Sequence, residues 1–239
     1  MDEKDKMSIG EASELLGVSI DTLRRWDENG RFPAEKSVGG HRTYSRAVIE
    51  QYMNDLFSLA KDWCLHGTEI PSKFYCSNSS IFQSRVIKME TLLAETKGFE
   101  HIYSLITAVV GEIGNNSFDH NLGNWPDIAG VFFGYDHIKR IIVLADRGQG
   151  ILETLKRVKP QLSSHEEALL TGFTEVISGR APEERGNGLK FVRKVVTENP
   201  MGLLFQTGDA ELRLIKDGRD IHIQHSADNI RGCFAFLTF

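Results

Sequence analysis

Residues 111–121 place polar side chains inside a segment that otherwise has the apolar spacing of a helix. Apolar residues recur every three or four positions, which predicts one buried stripe: Ile102, Leu105, Ile106, Val109, Val110 and Ile113. Into this pattern the sequence inserts Gly114, Asn115 and Asn116. These are poor helix formers, and glycine alone costs about 1 kcal/mol relative to alanine in a helix interior. Their presence favours a functional reason over packing.

Glu112, Asn116 and His120 follow one another at intervals of four residues, so they line one face of this helix. An amide oxygen can ligate a hard cation, and a carboxylate can orient or deprotonate a water. The row therefore suits a magnesium-bound polyphosphate. Taken alone, a solvated helix face is the simpler interpretation.

Two glycine-containing motifs follow the helix. The apolar segment Arg140–Ala145 predicts a buried strand that ends at Asp146-Arg147-Gly148-Gln149-Gly150. Further on, Gly186-Asn187-Gly188-Leu189 opens a segment with helical spacing. One Gly-x-Gly is usually only a turn. Three motifs in order, each in a fitting structural context, are far more specific.

Together the motifs resemble the GHKL ATP-binding family of DNA gyrase, Hsp90, histidine kinases and MutL, whose boxes are Glu-x-x-x-Asn-x-x-x-His/Lys, Asp-x-Gly-x-Gly and Gly-x-Gly-Leu. The resemblance implies an α/β-sandwich (Bergerat) ATP-binding domain with ATP and Mg²⁺ as cofactors. Glu112 would be the catalytic base, Asn116 the Mg²⁺ ligand, and Asp146 the acceptor of the adenine amino group. The resemblance also implies that further residues bind ATP: His120, Gly148, Gly150, Arg185, Gly186, Asn187, Gly188 and Leu189.

The same resemblance extends to the flanking segments. Residues 152–185 would form a lid over the nucleotide, with Arg180 and Arg185 placed to meet phosphate. Backbone N–H groups at the start of the next helix would face the triphosphate. Four antiparallel strands are expected toward the end of the chain, and the last is similar to the family's final Gly-Thr-x-Phe strand with Cys233 in place of threonine: Gly202–Phe205, Ala210–Lys216, Asp220–Gln224 and Gly232–Phe239.

The N-terminal part of the chain predicts a separate small unit. Ser8 and Glu11 form a capping-box pattern, Gly17 ends that helix, and Ser19 caps a second one. A hairpin is expected around Gly39-Gly40, between Glu35–Val38 and His41–Tyr44. A third helix is expected from Ser45, with apolar residues continuing through Phe57. Helix, turn, helix, hairpin and helix is the order of a winged helix-turn-helix.

The stretch from Ile9 to Trp26, followed by Gly40-His-Arg-Thr-Tyr44, resembles the DNA-binding domain of MerR regulators and phage excisionases. Double-stranded DNA is the implied partner. Arginine pairs on a recognition helix can meet guanine edges or phosphates, and a wing arginine can contact phosphate. Trp26 is expected in the core. The residues expected to bind DNA are Ser19, Thr22, Arg24, Arg25, His41, Arg42 and Tyr44.

Composition limits the classes of protein that fit. The formal net charge of −5 means that DNA binding needs a local basic patch. The three scattered cysteines predict neither a disulfide framework nor a zinc site. No apolar run approaches the roughly 18–20 residues of a membrane span, and the N-terminus is not signal-like, so we expect a cytoplasmic protein without contact with membranes.

The sequence thus predicts an α+β protein with a winged helix-turn-helix at 1–57, a connector at 58–70 and the ATP-binding domain at 71–239. Its first functional hypothesis is a DNA-binding transcriptional regulator, active as a homodimer on paired half-sites, in which Mg-ATP binding or hydrolysis switches DNA or partner binding. The alternative is a serine/threonine kinase similar to the anti-sigma factor kinases, acting on a STAS-like partner whose hydroxyl Glu112 orients. A third possibility is a degenerate ATP site that only scaffolds protein contacts.

Overall fold

Two antiparallel sheets organise the chain, one of three strands and one of five. The computed structural model describes residues 6–16, 18–30, 32–36, 39–175, 188–218 and 220–239. Helices and strands are mixed throughout these residues, which confirms the expected α+β class. No helix among them is both long and apolar enough to cross a membrane.

The small N-terminal unit has the expected order of elements, with one additional strand. Its elements are β1 Lys6–Ser8, α1 Ile9–Leu16, α2 Ile20–Glu28, β2 Glu35–Lys36, β3 Arg42–Ser45 and α3 Arg46–Asn54. The expected hairpin pairs Glu35 with Thr43 and Lys36 with Arg42. The additional strand β1 pairs with the other edge of β3. Gly17 and the wing residues Ser37 and Val38 lie outside the described residues.

Local caps define the first two helices. Glu11 accepts hydrogen bonds from the backbone N–H of Ser8 at 2.7 Å and from its hydroxyl at 2.8 Å, which confirms the capping box. The Ser19 hydroxyl accepts from the N–H of Thr22 at 3.1 Å. The helices then bury a small core that includes Trp26, as expected from the sequence: Ala12, Leu16, Leu23, Trp26, Phe32, Tyr44 and Ile49.

The expected continuous helix from Ser45 through Phe57 is wrong, because α3 stops before Asp55. A new helix, α4 Leu56–His66, begins there, and the Asp55 carboxylate accepts from the N–H of Ser58 at 3.1 Å. The Asp55 side chain therefore satisfies a backbone N–H in the first turn of α4 and acts as the N-cap of this helix. Most of the segment predicted as a connector, residues 58–70, thus belongs to a helix.

Further helices and strands among the described residues build the larger unit. They are β4 Tyr75–Cys76, α5 Ser79–Glu95, α6 Tyr103–Asn121, β5 Val131–Asp136, β6 Ile141–Asp146, α7 Gly150–Lys156, α8 His165–Thr174, α9 Gly188–Glu198, β7 Gly202–Ile215 and β8 His222–Thr238. The strand order is β4-β5-β6-β8-β7. Helix α4 covers one face of the sheet, and α5 to α9 cover the other. Successive residues of β6 alternate between the two cores, as strand geometry requires.

Two parts of the larger unit differ from the sequence prediction. The four expected C-terminal strands are two long ones, β7 and β8, with irregular register near Gly208. The expected lid at 152–185 includes most of α7 and all of α8, and Leu169 and Phe173 are fully buried in the core. Residues 176–187, with Arg180 and Arg185, lie outside the described residues.

Gly114 has a packing role that the sequence did not reveal. A Cβ built on this residue would lie 2.1 Å from Cζ of Phe82, a fully buried side chain of α5. The glycine therefore lets the Phe82 ring approach the backbone of α6. This corrects the interpretation that Gly114 serves only a functional site.

Replacing Gly114 with alanine is expected to lower the free energy of unfolding by about 1–3 kcal/mol, because the added methyl group overpacks the contact with Phe82. Gly111 on the same helix is the matched control, since nothing lies within 4 Å of its ideal Cβ. Gly111→Ala should be neutral or stabilising by up to ~1 kcal/mol. Chemical denaturation compares the two variants, and equal effects would contradict the packing role.

Candidate functional sites

The polar row of α6 faces the first residue of α9. Glu112 is exposed, while Asn116 and His120 are half-buried. A Cβ on Gly188 would lie 2.6 Å from Oε2 of Glu112 and 3.2 Å from Nδ2 of Asn116. The missing side chain at Gly188 therefore lets the start of α9 approach the row closely. Of the residues predicted from sequence, Glu112, Asn116 and Gly188 are brought together here.

Asn115 points elsewhere. Its side-chain oxygen accepts a hydrogen bond at 2.6 Å from the amide nitrogen of Gln83 on α5. Two adjacent asparagines thus have different surroundings, and Asn115 provides a natural control for any function of Asn116.

Asp146 ends β6 and is only 2% exposed. The Ser117 hydroxyl donates to Oδ2 at 2.7 Å, and the N–H of Gly148 donates to Oδ1 at 2.8 Å. Burial raises the pKa of the Asp146 carboxyl above its ordinary value, although these hydrogen bonds and one from the N–H of Cys233 act in the opposite direction. The result is a buried acceptor held in a fixed orientation.

Asn121 supports the turn after Asp146 and was not singled out from the sequence. Its Oδ1 accepts from the N–H of Gln149 at 2.8 Å, and its Nδ2 donates to the carbonyl of Ser117 at 2.7 Å. A Cβ on Gly148 would lie 2.1 Å from that Nδ2. The space left by the missing side chain at Gly148 is thus occupied by the side chain of Asn121. The position of Asn121, directly after His120 at the end of α6, was the only available signal.

Thr207 supports the second glycine of the motif in the same way. Its hydroxyl donates to the carbonyl of Gly232 at 3.0 Å and accepts from the N–H of Ile151 at 3.2 Å. Gly150 has a φ of 74°, and a Cβ there would lie 2.9 Å from the threonine hydroxyl. A polar cleft of about 580 Å³ opens beside these residues. Thr207 lies mid-strand, where no sequence pattern marked it.

Arg147 points to the other face of the sheet. Its Nη1 donates to the carbonyls of Trp63 at 2.7 Å and Cys64 at 2.6 Å, in the last turn of α4. Its Nε donates to Asp127 at 2.8 Å. The guanidinium also packs against Gly67, whose ideal Cβ would lie 3.2 Å from the arginine Cζ. The residue between Asp146 and Gly148 therefore holds the end of α4.

The residues expected to bind DNA divide into exposed and buried groups. Ser19, Arg24, Arg25 and His41 are exposed, and Arg42 is partly exposed. Thr22 and Tyr44 are 2% and 3% exposed. The Tyr44 ring stacks on Phe32 with 5.5 Å between ring centroids. These two side chains therefore support α2 and the β2–β3 hairpin from within the small core.

Acidic side chains of the chain itself pair with three of these arginines. Arg24 pairs with Asp21 at 2.8 Å, Arg25 with Glu69 at 3.0 Å, and Arg42 with Asp27 at 2.6 Å. Hydrogen bonds from the N–H of Ala34 and from Arg42 lower the pKa of Asp27. The charges of these three arginines are thus balanced by acidic side chains of the protein. Within the described ranges, no cluster of three or more His, Cys, Asp or Glu residues could hold a metal ion.

Asp146→Asn is expected to change the pH dependence of stability. The folded protein binds the Asp146 proton more tightly than the unfolded chain does, because the folded-state pKa is raised. The free energy of unfolding is therefore highest below the unfolded-state pKa of about 3.9 and falls as the pH rises through the folded-state pKa. The wild-type protein should therefore lose stability relative to Asp146→Asn as the pH rises above about 4, the unfolded-state pKa of an aspartate. Urea denaturation across this range measures the difference. Asp220→Asn, at an exposed position, is the control, and parallel profiles for Asp146→Asn and wild type would contradict the assignment.

Comparison with known proteins gives a match for the N-terminal unit. The family profile described as MerR family regulatory protein matches residues 8–44. The chain is also 30% identical over 61 residues to the Type II methyltransferase M.Eco47II of Escherichia coli, a match that covers 25% of this chain and 15% of that enzyme. The profile match spans α1, α2 and the wing strands, in agreement with the observed order of elements. Residues 8–44 are therefore similar to MerR family regulatory proteins, and they form a helix-turn-helix with a wing hairpin.

Proposed function

We propose that this protein is a DNA-binding transcriptional regulator whose larger unit binds Mg-ATP as a GHKL-type domain. The observation that carries the nucleotide half is the approach of Gly188 to Glu112 and Asn116. These residues belong to motifs more than 60 positions apart in the sequence. Asp146, the buried acceptor of the remaining motif, hydrogen-bonds to Ser117 of the same helix α6.

The chain's own residues suit this ligand. Asn116 would ligate Mg²⁺ through its amide oxygen, with phosphate oxygens and waters as the other ligands. Asp146 would accept from the adenine amino group, since a carboxylate oxygen that already accepts one hydrogen bond can accept another. Backbone N–H groups in the first turn of α9 would face phosphate. Bound magnesium would neutralise charge on the phosphates.

Glu112 is proposed as the group that orients or deprotonates water, because its exposed side chain lies one helical turn from Asn116 on α6 and faces Gly188 at the start of α9. His120, Gly148, Gly150 and Leu189 complete the proposed ATP site. So do Arg185, Gly186 and Asn187, which lie outside the described residues. The methyltransferase activity of the E. coli relative is not part of the proposal, since the match covers only 15% of that enzyme.

The DNA half of the proposal is supported by the MerR profile match and by the exposed arginines of α2. Arg24 and Arg25 would enter the major groove or meet its phosphates, and Arg42 would contact phosphate from the wing. Two copies of the chain would read paired half-sites. Nucleotide binding would then alter DNA affinity only if the two states of the larger unit differ in their contacts with the smaller one.

Asn116→Ala is expected to weaken Mg-ATP binding at least tenfold, about 1.4 kcal/mol, in isothermal titration calorimetry. Asn115→Ala is the matched control and should retain wild-type affinity, because Asn115 contacts Gln83 instead. Equal affinities for the two variants would remove Asn116 from the site.

Glu112→Ala should retain Mg-ATP binding and lose roughly 10²–10⁴-fold in the rate of ATP hydrolysis. Phosphate transfer to a protein substrate without hydrolysis would instead favour the kinase alternative.

The double variant Arg24→Ala/Arg25→Ala is expected to lose at least tenfold in DNA affinity, since a good arginine contact is worth about 1–3 kcal/mol. The probe is a fluorescent duplex selected by the wild-type protein from a random library, and fluorescence anisotropy measures binding. Lys88→Ala/Lys97→Ala removes the same charge at exposed positions on and after α5 and should bind as wild type. Equal losses in both double variants would show that only net charge matters.

A further inference from the structure

Glu69 contacts the recognition helix from the segment that follows α4. Its Oε1 accepts from Nη2 of Arg25 at 3.0 Å, and its Oε2 accepts from the hydroxyl of Thr22. The two partners lie 44 and 47 positions away in the sequence. The side chains of Arg25 and Glu69 are 60% and 51% exposed, so the pair lies at the protein surface.

The bonds that Glu69 makes are those that a DNA phosphate would make. A carboxylate and a phosphate both present two oxygen acceptors to a guanidinium group, and hydroxyl side chains donate to either. Arg25 can therefore satisfy its positive charge with Glu69 or with DNA. An exposed ion pair of this kind is weak enough for DNA to displace. Displacement nevertheless leaves a negative charge close to the bound phosphate.

The segment that carries Glu69 is anchored at both ends. Gly67 ends α4 in the left-handed conformation, with φ 64°, against the guanidinium of Arg147. The Thr68 hydroxyl donates to Asp62 of α4 at 3.2 Å, and Pro71 is buried. Glu69 is thus held beside α2 by the larger unit, rather than arriving there from a loose linker.

We propose that Glu69 is an intramolecular competitor of DNA for Arg25 and lowers the DNA affinity of the whole chain. This inference rests on the proposed role of α2 in DNA binding. Thr22 has a structural role instead. Its hydroxyl lies 2.8 Å from the hydroxyl of Ser19, the N-cap of α2, and thus links Glu69 to this cap. Glu69 therefore contacts Arg25 directly and is linked to the cap residue Ser19 through Thr22.

Glu69→Gln tests the inference because it removes the charge and keeps the size of the side chain. With the same selected duplex, the variant should bind about two- to fivefold more tightly than wild type, equivalent to ~0.4–1 kcal/mol. Arg25 then no longer exchanges one anion for another on binding, so the slope of log K against log salt should steepen by up to about 0.9. Glu95→Gln, an exposed position on α5, makes the same change in net charge and should bind as wild type.

A second background separates local competition from general electrostatics. In Arg25→Ala, the additional change Glu69→Gln should give no further gain in affinity, because the competed group is absent. A full gain in that background, or equal affinities of Glu69→Gln and Glu95→Gln, would overturn the inference. If the Arg24→Ala/Arg25→Ala variant bound DNA as well as wild type, the proposed role of α2 would be wrong instead. The two failures are therefore distinguishable.

Discussion

The buried guanidinium of Arg147 connects the end of strand β6 to helix α4. Removing such a charge from water costs several kcal/mol unless its donors are satisfied. Here they meet the last carbonyls of α4 and the carboxylate of Asp127. The end of α4 also carries the negative pole of the helix dipole, which favours a cation. Asp146, the preceding residue, faces the opposite layer because side chains alternate along a strand. Two adjacent residues thus fix the candidate site and the support of α4.

Features that depend on neighbours within one helical turn were predictable from the sequence. Ser8 with Glu11, and Ser19 with the N–H of Thr22, form the expected caps because both partners lie three residues apart. The break at Asp55 had a local signal of the same kind, but the apolar spacing that continues to Phe57 outweighed it. The prediction divided β7 between residues 205 and 210, and β8 between residues 224 and 232. In the structure these two segments lie opposite each other and form an irregularity within two longer strands.

Features that depend on distant partners were not predictable. Ser117 bonds to Asp146 across 29 positions, and Thr207 bonds to Ile151 across 56. No periodicity reports such pairs, because they exist only after the sheet and α6 have packed. The glycines show the same limit. Their positions in the motifs were visible, but the side chains that occupy the space beside them, Phe82 at Gly114 and Asn121 at Gly148, were not.

A continuous set of contacts runs from the turn after β6 to the recognition helix, through Arg147, Gly67 and Glu69. Spatial continuity alone does not establish coupling, which requires two states with different energies. The strengths of these contacts still limit how much DNA affinity could change through them. Arg147 is buried and multiply bonded, whereas the Glu69–Arg25 pair is exposed and worth at most about 1 kcal/mol. A change at the proposed nucleotide site that is transmitted only through Glu69 would alter DNA affinity by about fivefold at most. A larger effect on DNA affinity would need contacts other than the Glu69–Arg25 pair to change.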